Sequence, residues 1–276
     1  MYVEIKNLNY SYNTDTPNTL NNINLNVGSS ERLILAGPNG AGKSTLLRLL
    51  AGKHMTSTVD KFTVLGAQFT QVGFRGLAYC ADTWTKKINF VGYTPYVIDM
   101  EVKNFMKSEQ EANIKRRDML CQILKINLDW NMMKLSDGQR RRVQIMLGLL
   151  KPFKLLLLDE ITSELDIIVR TNLLNYLKEE SIKNNASIIY ATHILDGLEN
   201  WATGVLYLNY KGEMKRIENK ELNVKNIIVS NMSQDYIDME NENILEVEGI
   251  KDQSNDIYGK SQGGFSSGRA TGMFVN

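Results

Sequence analysis

Cysteine is scarce in this sequence: Cys80 and Cys121 are the only two. A disulfide framework is therefore excluded, and a reducing compartment is expected, cytoplasmic or nuclear. Proline is also rare, with 4 in 276 residues, and glycine stays at 20, which excludes collagen-like and mainly disordered classes. No charge dominates. Lys and Arg number 32 against 31 Asp and Glu, and the net charge of +1 gives no field to hold nucleic acid, so no direct nucleic-acid binding is expected. Long hydrophobic runs are missing too. The most apolar stretch, Ile145 to Leu158, is broken by Lys151, Pro152 and Lys154 and falls short of the ~20 residues of a spanning helix. The segment Met1 to Lys6 carries no basic flank followed by an apolar region, so neither a secretory signal nor membrane insertion is expected. What remains, 43% hydrophobic and 23% charged residues, suits a soluble globular chain of one large domain or two small ones.

The order of patterns points to an α/β fold. Tyr2 to Ile5 and Asn24 to Val27 alternate as half-buried strands, and Glu31 to Ala36 reads as a short apolar strand. Lys43 to Ala51 carries leucines at helical spacing and stops before Gly52. Residues 55–93 suit strands and loops, and about 96–150 turns helical. Leu155 to Leu158, Ser187 to Ala191 and Val205 to Leu208 are continuous apolar runs, the mark of strands buried on both faces of a parallel sheet. A helix is expected from Asp166 to Lys178. Strands alternating with helices predict a parallel sheet into which the helical stretch is inserted. From Lys251 the apolar periodicity fades around Gly263, Gly264 and Gly268, and a mobile tail is expected.

Three constellations carry chemistry. Gly37-Pro38-Asn39-Gly40-Ala41-Gly42-Lys43-Ser44-Thr45 fits G-x-x-x-x-G-K-[ST], a loop whose backbone N–H groups cradle phosphate oxygens. Its fixed positions arise by chance in roughly 1% of chains this long, and the strand before and helix after are the context the motif needs. Lys43 would reach the terminal phosphates, and the Ser44 hydroxyl would ligate Mg²⁺. The pair Asp159-Glu160 follows the buried run Leu155 to Leu158, where α/β sheets bind ligands. Asp159 suits the Mg²⁺ shell and Glu160 suits a general base for an attacking water. The competing reading makes both helix N-terminal acids. Third, Leu135-Ser136-Asp137-Gly138-Gln139 precedes three arginines, Arg140 to Arg142. Ser136 and Gln139 form a capping box, while the bare N–H groups near Gly138 offer a second phosphate site. The arginines fan round the helix, so solvation or ion pairing is expected rather than a nucleic-acid patch.

Taken together, Gly37 to Thr45, Leu135 to Gln139, Asp159-Glu160, Ser163 to Asp166 and His193 resemble, in identity and order, the motifs of an ABC-type nucleotide-binding domain. The resemblance covers residues 1–215, with the helical subdomain at about 96–150 and a partly flexible C-terminal extension over 216–276. It implies a P-loop NTPase fold that binds ATP with Mg²⁺ and hydrolyses it in a head-to-tail dimer, with itself or with another ABC chain. In that pattern Ser136, Gly138 and Gln139 grip the γ-phosphate held by the opposite protomer, and Ser163 to Asp166 form the D-loop along the interface. His193 is similar to the switch histidine, and Tyr12 to the aromatic on which adenine stacks, with Tyr10 in reserve; His54 reads as a plain loop histidine. Ser136 to Ile145, Tyr190 to Ile194 and Asp196 to Thr203 further resemble the soluble eukaryotic ABC proteins without membrane domains. These include a factor linked to the CCR–Not transcription-regulatory complex and the plant non-intrinsic ABC proteins. One departure is expected: the Q-loop position, placed from Pro95, holds Val97 instead of glutamine, with Gln68, Gln71 and Gln110 as alternatives. That departure implies slow hydrolysis. A detached transporter ATPase and a nucleotide-dependent scaffold are the rival functions.

Overall fold

Alternating apolar residues build the first layer of the computed structural model, which describes residues 1–13, 17–55, 58–68, 76–81, 99–218 and 223–259. β1 (Val3–Tyr10) and β2 (Leu20–Val27) pair antiparallel, and Val3, Ile5, Ile23, Leu25 and Val27 turn their side chains to one buried face. Two short strands, β4 (Lys61–Val64) and β5 (Ala67–Gln68), complete a four-stranded sheet in the order β2-β1-β4-β5.

The second sheet holds β3 (Arg32–Ala36), β6 (Leu77–Ala81), β7 (Leu155–Asp159), β8 (Ser187–Ala191), β9 (Gly204–Leu208) and β10 (Met214–Ile217) in the order β10-β9-β3-β8-β7-β6. Every pairing is parallel except β10 with β9. The continuous apolar runs are explained by burial on both faces. Leu33, Leu35, Leu155, Leu157 and Ile189 join one core with the first sheet and α1 (Lys43–Leu50). Ile34, Leu156, Leu158, Ile188 and Tyr190 face a second core on the other side.

That second core is filled by the helices. α2 (Lys107–Ala112), α3 (Ile114–Leu124) and α4 (Asp137–Leu149) lie between β6 and β7 in the chain, and α5 (Ile167–Lys183) follows β7. α3 is tied to α5 by a double hydrogen bond: Arg116 Nη1 and Nη2 reach the Glu180 carboxylate at 3.1 and 3.0 Å. The same guanidinium lies over the rings of Phe153 and Tyr176 and donates from Nε to Leu149 O at 2.6 Å.

The chain divides into two units, Met1–Met232 and Ser233–Asn276. α6 (Val224–Gly259) begins in the first and enters the second. The expected irregular tail from Lys251 is thus helical as far as Gly259. Residues 250–258 contain neither proline nor glycine, so nothing there interrupts the helical hydrogen-bond ladder. Residues 260–276 lie outside the described residues.

Candidate functional site

The site begins where β3 ends. Gly37 leaves the strand at φ +152°, and a Cβ there would stand 2.0 Å from Leu208 O, so β9 leaves no room for any side chain. Gly42 closes the loop at φ +99° as the N-cap of α1, a left-handed conformation that other residues adopt at a cost. α1 sinks Leu46, Leu47, Leu49 and Leu50 into the core. That anchoring fixes Lys43, Ser44 and Thr45 at the carboxyl end of the parallel strands, where helix N–H groups meet an anion.

Lys43 is only 7% exposed, and its Nζ donates to Gly37 O at 2.8 Å and Pro38 O at 2.9 Å. The ammonium therefore lies inside the loop that would wrap phosphates. Burial lowers its pKa, and the charges of Glu160 and Asp159 act against that. Ser44 Oγ donates to Asp159 Oδ1 at 3.0 Å, joining the start of α1 to the end of β7. Burial also raises the pKa of Asp159, against the Ser44 hydrogen bond, with the neighbouring Glu160 adding to the rise. A hydroxyl and a carboxylate at one point are hard oxygen donors that fit Mg²⁺, an ion that takes one or two protein oxygens and leaves its other positions to phosphates and water. Among the described residues no cluster of three or more His, Cys, Asp or Glu could hold a metal.

Glu160 comes next, at a left-handed φ of +52°, with its N–H held by Ala191 O at 2.9 Å. Asp159 and Ala191 are register partners of β7 and β8, so the two chain ends leave the sheet side by side. His193 Nε2 then lies 2.8 Å from Glu160 Oε1, both side chains remaining partly open to solvent. The helix-cap reading of the acidic pair fails, because α5 starts only at Ile167 and is capped by Asp166, whose side chain accepts from Val169 N at 3.0 Å.

Ser136 caps α4 by a full capping box: Gln139 N donates to Ser136 Oγ at 3.3 Å and Ser136 N to Gln139 Oε1 at 3.0 Å. Gly138 packs against the chain, where an added Cβ would lie 3.2 Å from Glu164 O. None of these hydrogen bonds goes to residues 37–45 of the same chain. The arginines behind the cap are ion-paired: Arg140 to Asp137 at 3.2 Å, Arg141 to Glu164 at 3.4 Å and Arg142 to Asp166 at 2.8 Å. Arg141 is 4% exposed, so of the two expectations, solvation or ion pairing, it takes the second.

Tyr12 is exposed, and its hydroxyl is 2.7 Å from Thr45 Oγ1. Its ring meets Tyr10 edge-on at 5.3 Å and His54 at 5.7 Å, so His54 belongs to an aromatic group beside the loop and is not a plain loop residue. Of the alternative glutamines, Gln110 is fully buried and donates to Val102 O at 2.8 Å, and Gln68 lies on the edge strand β5. Val97, Pro95 and Gln71 lie outside the described residues. The sequence reading missed Tyr79 and Arg48. Burial, and then the Asp159 charge, push Tyr79 up to about 12, so its hydroxyl keeps its proton and donates to Asp159 Oδ2 across 3.5 Å. No local motif marks either residue; only the pairing of β6 with β7 brings Tyr79 to the site.

Known proteins place this arrangement. The pattern of the ABC transporter family matches residues 20–163. The chain is 42% identical over 217 residues to ABC transporter I family member 21 of Arabidopsis thaliana, covering 77% of this chain and 76% of that protein. It is 36% identical over 222 residues to CCR4-associated factor 16 of Saccharomyces cerevisiae, covering 75% of each. Among solved structures, the ATP binding subunit of an ABC transporter superposes with a TM-score of 0.68 at 21% identity, over 87% of this chain and 100% of that one. A dimeric ATP-binding cassette bound to ADP and Pi gives 0.64 at 18% identity, over 78% of this chain and 98% of that one. The loop on α1, the acidic end of β7, the capped α4 and the shared sequence have one explanation: the chain belongs to the ABC transporter family, with the fold of its ATP-binding cassettes.

Proposed function

We propose that this protein is an ATP hydrolase acting in a head-to-tail dimer. The observation that carries the reading is the contact of Ser44 Oγ with Asp159 Oδ1 at 3.0 Å, beside the pair of Glu160 and His193 at 2.8 Å. Residues 37–45 wrap the phosphates through backbone N–H groups and the Lys43 ammonium, and Tyr12 supports the adenine. Ser44 and Asp159 hold Mg²⁺, which when bound supplies charge to offset that of the phosphates. Glu160 takes the proton of the attacking water, and His193, hydrogen-bonded to it, keeps its carboxylate oriented and meets the γ-phosphate side of the site. Ser136, Gly138 and Gln139 make no hydrogen bond to the loop of their own chain, which fits a role on the partner's nucleotide. By its similarity to CCR4-associated factor 16, the chain serves a regulatory complex in the cytoplasm or nucleus. Among the described residues no helix is long and apolar enough to cross a membrane.

The test is Glu160→Gln, which keeps the hydrogen-bonding shape and removes the base. Sedimentation of this variant with Mg-ATP should show a dimer that wild-type protein forms only transiently. A nucleotide-loaded monomer at micromolar protein would overturn the homodimer.

A further inference from the structure

Asp159 is held by more than Ser44. Its Oδ1 accepts from the Ser44 hydroxyl, and Tyr79 OH stands 3.5 Å from its Oδ2. Tyr79 comes from the neighbouring strand β6, which pairs with β7 so that Tyr79 lies opposite Leu157 and Ala81 opposite Asp159. Side chains two residues apart on a strand share a face. Asp159 and Leu157 therefore point to the same side, and both Leu157 and Tyr79 pack in the core that contains α1.

The Tyr79 ring is itself fixed. Lys53 Nζ sits over its face, 4.5 Å from the centroid. Arg48 stands one helical turn beyond Ser44 on α1. Burial raises the pKa of both Tyr79 and Asp159, and the positive charge of Arg48 acts against that rise. A phenol can donate one hydrogen bond, and the Tyr79 proton is directed at Asp159 Oδ2. A neutral hydroxyl orients the carboxylate without placing a fixed cation on it, which leaves Oδ1 to Ser44 and the ion.

Resting on the nucleotide reading of the site, we infer that Tyr79 is a positioning residue that sets the Asp159 carboxylate for the divalent cation. It does not touch the reacting atoms and shapes the metal site through Asp159, as outer-shell partners do at other metal centres.

The probe is Mn²⁺, followed by electron paramagnetic resonance on the full chain loaded with a non-hydrolysable ATP analogue. Nucleotide affinity is measured separately in EDTA with a fluorescent ATP analogue. Tyr79→Phe keeps the ring and removes the hydroxyl, and Mn²⁺ affinity should fall roughly 10-fold while metal-free nucleotide affinity is unchanged. Lys53→Met removes the cation over the Tyr79 ring and should weaken Mn²⁺ binding by a smaller factor, which provides a second reading should Tyr79→Phe fail to fold. Wild-type Mn²⁺ affinity in both variants would overturn the inference. Equal loss of Mn²⁺ and metal-free nucleotide affinity in Tyr79→Phe would also overturn it, since Tyr79 would then only pack the loop. Wild-type protein that binds no ATP analogue would instead overturn the nucleotide reading, and this inference with it.

Discussion

Lys43 and His193 both lie where the proposed function puts the phosphates, yet their surroundings suit different work. Lys43 is buried and bonded to the loop carbonyls of Gly37 and Pro38. Its charge is available to any nucleotide that enters, before reaction as well as during it. His193 is half open and touches Glu160, the group that would handle the proton. Lys43→Ala should therefore weaken ATP binding at least ~10-fold, whereas His193→Ala should keep affinity within about 2-fold and lower kcat about 100-fold. Equilibrium binding and steady-state kinetics separate the two. Equal losses of affinity would remove His193 from the chemical step. The roles proposed for Lys43 and Ser44 are legible from spacing alone, because one loop and one helix turn contain them. Tyr79 is not legible that way, because it meets Asp159 only through a strand pairing between residues far apart in the chain.

At the level of elements, α4 has two duties that can be separated. Its capping box satisfies helix N–H and Ser136 N–H groups within the chain, and the same end would face the partner's nucleotide. Ser136→Ala should cost about 1 kcal/mol of stability, the ordinary worth of a cap, read from urea unfolding. If Ser136 also grips the partner's phosphate, the same variant loses ATP-dependent dimerisation far beyond what 1 kcal/mol of folding stability explains; a dimer as stable as wild type would leave Ser136 only a cap. The link of α3 to α5 is of another kind. Arg116 and Glu180 retain side-chain exposures of only 14% and 11%, so Arg116→Met strands a buried carboxylate and should lower stability by about 3 kcal/mol. The double change Arg116→Met with Glu180→Leu should recover most of that loss, because two apolar groups need no pairing. No recovery in urea unfolding would mean that the bond from Arg116 Nε to Leu149 O, lost in both variants, carries the stabilisation.

For the whole molecule, every residue proposed for the site lies in the unit Met1–Met232. Among the described residues, both hydrophobic cores are formed by residues up to Ile228, with Met232 packed at the margin of one. A chain ending at Met232 should therefore unfold cooperatively in calorimetry and bind the fluorescent ATP analogue with the affinity of the full chain, to within about 2-fold. An unfolded product would show that the C-terminal unit is part of the folding unit.

The sequence by itself determined the strands and helices whose signals are local. The phosphate loop, the apolar runs of β7, β8 and β9 and the cap of α4 are written in consecutive residues, since backbone conformation and two-sided burial act over short spans. The C-terminal helix was less legible, because a polar sequence without proline fits a helix as well as a coil. Tertiary structure alone decided which side chains meet. Glu160 reaches His193 because β7 and β8 end in register. Buried Arg141 is paired because Glu164 from the loop before α5 comes to it. Asp159 gains Tyr79 because β6 lies beside β7. Each of these contacts joins distant segments, and strand order, which has no period and no spacing in the chain, is the physical variable that brings them together.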